Sequence, residues 1–122
     1  MCAIFGIFDH SSKSSKKSLI RQTEEMSKSM RMRGPDNFGI YSDNNLVIGH
    51  NRLSIIDLTN NGNQPMVSSS GRFVISYNGE IYNHLDLRDE LKQKKKINWK
   101  SKTDTETILE MFDYYGINES LK

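Results

Sequence analysis

Cysteine is nearly absent from this chain: among 122 residues the one thiol belongs to Cys2. A lone cysteine forms no internal disulfide, which excludes a disulfide-stapled secreted scaffold and fits a reducing cytoplasm. Long hydrophobic runs are missing too. Nothing approaches the roughly 20 apolar residues of a membrane helix. The opening MCAIFGIFD has no basic stretch ahead of its apolar run, and Asp9 ends that run too early for a signal peptide. Excess charge of one sign is also lacking: 17 Lys and Arg face 15 Asp and Glu, a net +2. That balance gives no footprint for nucleic acid. Histidines are few, and His10, His50 and His84 are isolated from one another. No metal site is expected from them, and His50 reads as structural. What remains, 35% hydrophobic and 26% charged residues, is a soluble globular composition long enough for one domain, residues 1–122.

The apolar run 2–8 (CAIFGIF) reads as a strand covered on both faces. Residues 11–18 are rich in Ser and Lys and read as an exposed loop. Over 16–30, Leu19, Thr23, Met26 and Met30 recur at helical spacing, and Gly34-Pro35 opposes continuation. Residues 38–42 and 45–49 read as a hairpin turning at Asp43-Asn44. Residues 52–58 (RLSIIDL) and 72–77 (RFVISY) read as further strands, and 59–65 as a turn-rich loop. A helix from about Asn83 carries Leu87 and Leu91, and its KQKKK end reads as solvated. Thr103 and Glu106 have capping-box spacing ahead of Ile108, Leu109, Phe112 and Tyr115, and Gly116 closes that helix. Strands and helices in this mixed order predict an α+β fold.

Position two gives Cys2 a particular chemistry. Methionine removal is favoured when the second side chain is small. It would leave an amine of pKa near 8 on the same residue as a thiol of about 8.5. One residue then holds both nucleophile and base; the plain alternative is a small buried hydrophobe. Four polar segments lie at strand ends or helix starts: RMRGPDNFG, GHNRLSIID, YNGEIYN and KTDTET. They supply Arg52, Glu80, Asp104 and the Asn78-Gly79 pair. A guanidinium suits an α-carboxylate, carboxylates suit an α-ammonium, and an Asn amide with a Gly N–H suits an oxyanion. Each also has a structural reading. Arg52 suits a surface ion pair, Asn78-Gly79 a turn, Asp104 and Glu106 helix caps, and Arg33-Gly34-Pro35-Asp36 a turn locked by an Arg–Asp pair.

Taken in order, Cys2-Ala3-Ile4-Phe5-Gly6, Arg33-Gly34-Pro35-Asp36, His50-Asn51-Arg52-Leu53-Ser54-Ile55-Ile56-Asp57, Gln64-Pro65, Asn78-Gly79-Glu80-Ile81-Tyr82-Asn83 and Thr103-Asp104-Thr105-Glu106 resemble the glutamine amidotransferase domain of glutamine-hydrolysing asparagine synthetases. That family is a class II branch of the N-terminal-nucleophile hydrolases. The resemblance implies an αββα sandwich. It implies Cys2 as nucleophile, Asn78 and Gly79 as oxyanion hole, and Arg52 on the substrate carboxylate. It further implies Asp104 with Glu80 on the ammonium and Leu53, Ser54, Ile55 and Ile56 lining the pocket. The substrate implied is L-glutamine, and the products are glutamate and ammonia. No cofactor is implied for this domain; ATP and Mg belong to a synthetase domain, in cis or in trans, whose Ser-Gly-Gly-x-Asp-Ser loop does not occur here.

Two departures from the family pattern stand out. Met32 occupies the place where the family usually has His. The family domain also continues past residue 122, so the sandwich is expected to be incomplete at its C-terminal end, with unpaired strand edges that favour homo-oligomers. Two other readings follow: an amidotransferase for another acceptor, such as a sugar acid in polysaccharide synthesis, or a non-catalytic truncated remnant.

Overall fold

The apolar run at the start forms strand β1 (Ala3–Phe8). Its burial is one-sided: Ala3 is buried, Phe5 and Ile7 are half-buried, and Ile4 and Phe8 are exposed. The expectation of a strand covered on both faces is therefore corrected. The cause is a helix on one side only. Strands β1, β2 (Asn37–Asp43) and β3 (Leu46–Arg52) form an antiparallel sheet in the order β1-β3-β2. Helix α1 (Lys16–Ser29) packs on all three strands, on the face that carries Ala3 and its register partner Asn51.

Helix α1 starts at Ser15, whose hydroxyl accepts the Ser18 N–H at 3.2 Å. Leu19, Thr23 and Ser27 are its buried residues, four apart as a helix stripe requires. The helix ends at Met30, four residues ahead of the Gly34-Pro35 breaker. Ser27 Oγ donates to Asn51 Oδ1 at 2.7 Å, and Asn51 Nδ2 donates to the Ser27 carbonyl at 2.9 Å. This reciprocal pair locks α1 to β3 inside the core. Gly34 then lies so close to β3 that a Cβ would run into the Asn51 carbonyl. The β2–β3 hairpin pairs Asp43 with Leu46, so the turn is Asn44-Asn45, one residue later than expected. Asn44 adopts φ +46°, which Asn tolerates.

The strand expected over 52–58 does not form: β3 stops at Arg52. Beyond it the backbone donors leave the ladder. Leu53 N–H points to Cys2 Sγ at 3.3 Å and Ser54 N–H to Asp36 Oδ2 at 2.7 Å. The strand expected over 72–77 shrinks to β5 (Val74–Ile75), paired with β4 (Met66–Val67). Here Tyr77 N–H bonds the Gln64 side chain at 2.6 Å instead of a strand neighbour. The fold is thus α+β with antiparallel sheets, spread over two compact units across the described residues Met1–Lys122. One comprises Met1–Ser54, Asn63–Pro65 and Ser76–Asn78; the other comprises Ile55–Gly62, Met66–Ile75 and Gly79–Lys122. This is the architecture of a computed structural model.

In the second unit, α2 (His84–Lys94) follows Asn83 and buries Leu91, with Leu87 half-buried. Its lysine-rich end is exposed. Helix α3 (Asp104–Tyr115) starts at Thr103, whose hydroxyl accepts the Glu106 N–H at 3.2 Å. The capping box closes differently from its usual form. Glu106 reaches past Thr103 to Lys100 N–H and Ser101 N–H, at 2.8 and 2.7 Å. Gly116, at φ +82°, ends α3 ahead of the short α4 (Ile117–Ser120). Leu91 and Leu109 are fully buried, and Phe112 meets Phe73 edge-on at 6.0 Å.

Arg88 joins α2 to the start of α3. It is buried and donates to Thr107 Oγ1 (2.8 Å) and to the carbonyls of Ser101 (3.0 Å) and Thr103 (2.8 Å). Glu106 lies 3.6 Å away, and the Trp99 ring 4.0 Å below the guanidinium. Burial pulls the Arg88 pKa down, and the nearby Glu106, Asp104 and Asp57 carboxylates oppose that shift. Removing one partner of a buried pair strands the other. Arg88→Met should therefore lower unfolding free energy by about 3–5 kcal/mol, read as a shift of the urea midpoint at unchanged m-value.

Candidate functional site

Cys2 sits one residue before β1, beyond the last rung Ala3↔Asn51. Its half-buried thiol lies beside residue 53: the Leu53 N–H points to Sγ at 3.3 Å, and Sγ is 3.6 Å from the Leu53 carbonyl. Leu53 follows the last residue of β3, so the sheet register itself sets the sulfur against it. Arg52, the residue before, is buried and donates from Nη1 to Asn63 Oδ1 at 3.0 Å. The surface ion pair open to Arg52 is thus replaced by a buried, hydrogen-bonded guanidinium. Ser54 follows, held through Asp36.

The segment Ser76–Asn78 is fastened by three hydrogen bonds, two to β3 and one to Gln64. Ser76 Oγ donates to the Gly49 carbonyl at 3.0 Å, His50 Nε2 pairs with the Tyr77 carbonyl at 3.2 Å, and Tyr77 N–H reaches Gln64 Oε1. A carbonyl only accepts, so His50 carries its proton on Nε2. Asn78 projects immediately after this clamp and is exposed. The structure therefore brings together Cys2, Arg52, Leu53 and Ser54, and Asn78 belongs to the same unit.

The remaining predicted residues belong to the second unit. Asp104 is buried at the first turn of α3. Its Oδ2 accepts the Ile81 N–H at 2.9 Å and its Oδ1 the Thr105 N–H at 2.8 Å. The Ile81 bond places exposed Glu80, the preceding residue, beside Asp104. Each carboxylate oxygen has a second lone pair for a ligand. Ile55 and Ile56 are exposed at 65% and 45%, and Gly79 is exposed at a bend.

Several neighbours differ from their sequence readings. The Arg33–Asp36 pair is not the lock of its turn. Arg33 reaches Met1 Sδ at 2.8 Å, while Asp36 accepts from Ser54 N–H. Met32, in the place of the usual His, is 95% exposed. Arg88 and Gln64 had no assigned role. Their work is to hold carbonyls and an amide, and no local sequence pattern marks it. Charge spacing within α2 shows Arg88 only as one more basic residue.

A family model of the glutamine amidotransferase domain matches residues 1–122. Asparagine synthetase B [glutamine-hydrolyzing] of Escherichia coli (strain K12) is 40% identical over 116 residues, covering 95% of this chain and 20% of that protein. Asparagine synthetase [glutamine-hydrolyzing] 1 of Arabidopsis thaliana is 35% identical over 118 residues, 97% of this chain and 19% of that protein. A probable asparagine synthetase [glutamine-hydrolyzing] of Schizosaccharomyces pombe is 43% identical over 91 residues, 75% of this chain and 16% of that protein. The chain spans about a fifth of the length of the curated relatives it matches.

The clamp predicts a pH dependence. Burial holds the His50 pKa below 6.5, against the opposing Tyr77 carbonyl and with the Arg52 charge assisting. The folded state thus prefers neutral His50. Its contribution is complete above the unfolded pKa of 6.5 and is lost as pH falls through the lower folded value. Urea midpoints taken at about pH 7.5 and about pH 5 should fall more for the wild type than for His50→Gln; equal falls would remove His50 as the titrating group.

Proposed function

We propose a glutaminase half-reaction for this chain, which belongs to the glutamine amidotransferase domain family. The seating of Cys2 Sγ against Leu53, next to buried Arg52 on β3, carries the reading. In it, Met1 is removed and the α-amine of Cys2 becomes free. That amine takes the thiol proton as Sγ attacks the side-chain amide carbon of L-glutamine. Negative charge develops on the amide oxygen and is met by the Asn78 amide and the Gly79 N–H. The amine then returns its proton to the departing nitrogen, and ammonia leaves a γ-glutamyl thioester. Water, deprotonated by the same amine, splits the thioester to glutamate and restores the thiol. All these steps run on the chain's own groups, with no cofactor of this domain; ATP and Mg would serve a synthetase domain.

Arg52 would hold the substrate carboxylate through a planar two-point contact. Asp104 and Glu80 would hold its ammonium, and Leu53, Ser54, Ile55 and Ile56 would line the pocket through their backbone. The surrounding scaffold is proposed to be the αββα sandwich of N-terminal-nucleophile hydrolases, in the cytoplasm. The named function of the relatives favours ammonia delivery to ATP-activated aspartate on a synthetase domain over delivery to a sugar acid. The exposed edges of β1 and β2 leave room for homo-oligomers or for further strands.

Labelling with 6-diazo-5-oxo-norleucine tests the nucleophile. A single adduct is expected on Cys2 of a chain lacking Met1, and Cys2→Ala should abolish it; an adduct elsewhere overturns the assignment. Asp104→Ala separates ligand holding from helix capping. A hydrogen bond to a charged group is worth about 1.5–3 kcal/mol, which is about ten- to hundredfold in KM. That rise with a nearly constant kcat is expected, and an unchanged KM would return Asp104 to capping alone.

A further inference from the structure

The lysine-rich end of α2 is one side of a larger basic surface. Residues 92–102 hold six lysines and no acid, while the whole chain is only +2, so the rest of the chain is net acidic. Within the second unit an open hollow of about 560 Å³ is bounded by residues 56–59, by Arg88 and Lys92 of α2, and by residues 99–102. Its walls are of two kinds. Leu58 is 80% exposed and Ile56 is also exposed, forming an apolar lip. Trp99 stands with them, its Nε1 buried and without a hydrogen-bond partner. On the other side, Lys92 is paired with Asp89, whereas Lys100 and Lys102 make no ion pair.

The carboxylate in this wall faces the Arg88 charge, which offsets its own. Asp57 accepts from Thr59 N–H and Oγ1, at 2.8 and 2.7 Å, and from Lys102 N–H at 2.9 Å. Both of its oxygens are met by donors of the chain. The hollow has the volume of a small-molecule site, with cations and apolar walls side by side. A merely solvated lysine face needs neither the exposed leucine nor the tryptophan.

We propose that this hollow binds an amphipathic phosphate, with its phosphoryl group on Lys100 and Lys102 and its flat apolar body against Leu58, Ile56 and Trp99. Trp99 is the one tryptophan of the chain, so its fluorescence reports occupancy directly and independently of glutamine hydrolysis. Adenosine 5′-monophosphate serves as probe, with adenosine and inorganic phosphate as its separate halves. A saturable change is expected with the nucleotide, and each half should bind about tenfold more weakly or worse. The double variant Lys100→Glu/Lys102→Glu should weaken the nucleotide by about tenfold or more. Its unfolding midpoint should hold, because the internal bonds of residues 100 and 102 use backbone N–H groups. The proposal is overturned if the nucleotide gives no saturable change, or if phosphate alone or adenosine alone binds as well. Equal binding by a folded double variant also overturns it.

Discussion

Strand β3 is the element on which the first unit depends. It alone has a partner on both edges, and its last four residues each perform a second task. Asn51 locks α1, the Gly49 carbonyl and the His50 ring hold the Ser76–Asn78 segment, and Arg52 turns to Asn63. A one-residue slip of this strand would exchange its two faces. It would move Asn51 away from Ser27 and His50 away from Tyr77 together. The Ser27–Asn51 pair therefore fixes register as well as stability. It is satisfied in both directions, and a slipped register would bury its donors and acceptors unpaired at about 1–3 kcal/mol each.

In the second unit the corresponding constraint is charge. Arg88 and Glu106 are both buried, yet each spends its hydrogen bonds mainly on backbone groups ahead of α3. This arrangement shapes residues 100–103 without a strand or helix to hold them. It also fixes the entry angle of α3, and hence the place of Asp104. The ion-pair distance of 3.6 Å is secondary. The net worth of a buried pair is small compared with the penalty for breaking it, so this network specifies geometry more than it adds stability.

The sequence made the regular elements legible wherever a local signal and the tertiary partner agree. Helix α1 has its apolar stripe, α2 its start at Asn83, and α3 its Thr103 cap. The misreadings occur where partner strands decide. RLSIIDL alternates like a strand, but nothing pairs with it beyond Arg52, and Cys2 and Asp36 take its amides. RFVISY fails in the same way, because Gln64 captures Tyr77. The uniform apolarity of β1 suggested two covered faces, yet Ile4 and Phe8 are exposed. Of the candidate site residues, those with distinctive chemistry at strand ends or helix starts, Cys2, Arg52, Asn78, Gly79, Glu80 and Asp104, stood out. The residues that position others, Gln64, His50 and Arg88, did not. Their partners are backbone groups 13 to 27 positions away, and such groups leave no mark in sequence.

The placement of Cys2 has a further physical consequence. A side chain on a loop needs neighbours to fix its rotamer and backbone together. Cys2 instead extends a strand by one residue, so the β1–β3 ladder fixes its backbone up to Ala3. One N–H, that of Leu53, then orients its sulfur. The β2–β3 ladder on the other edge of the same strand ends at Asn37↔Arg52. Thiol and guanidinium therefore share β3 as a reference, and Asn63 fixes the guanidinium further. Asn78 is anchored to that reference as well, through Ser76 and Tyr77, while its own side chain is left exposed. Preorganisation of this kind is what the proposed acyl transfer would require: groups that move together need not be brought together at the moment of reaction.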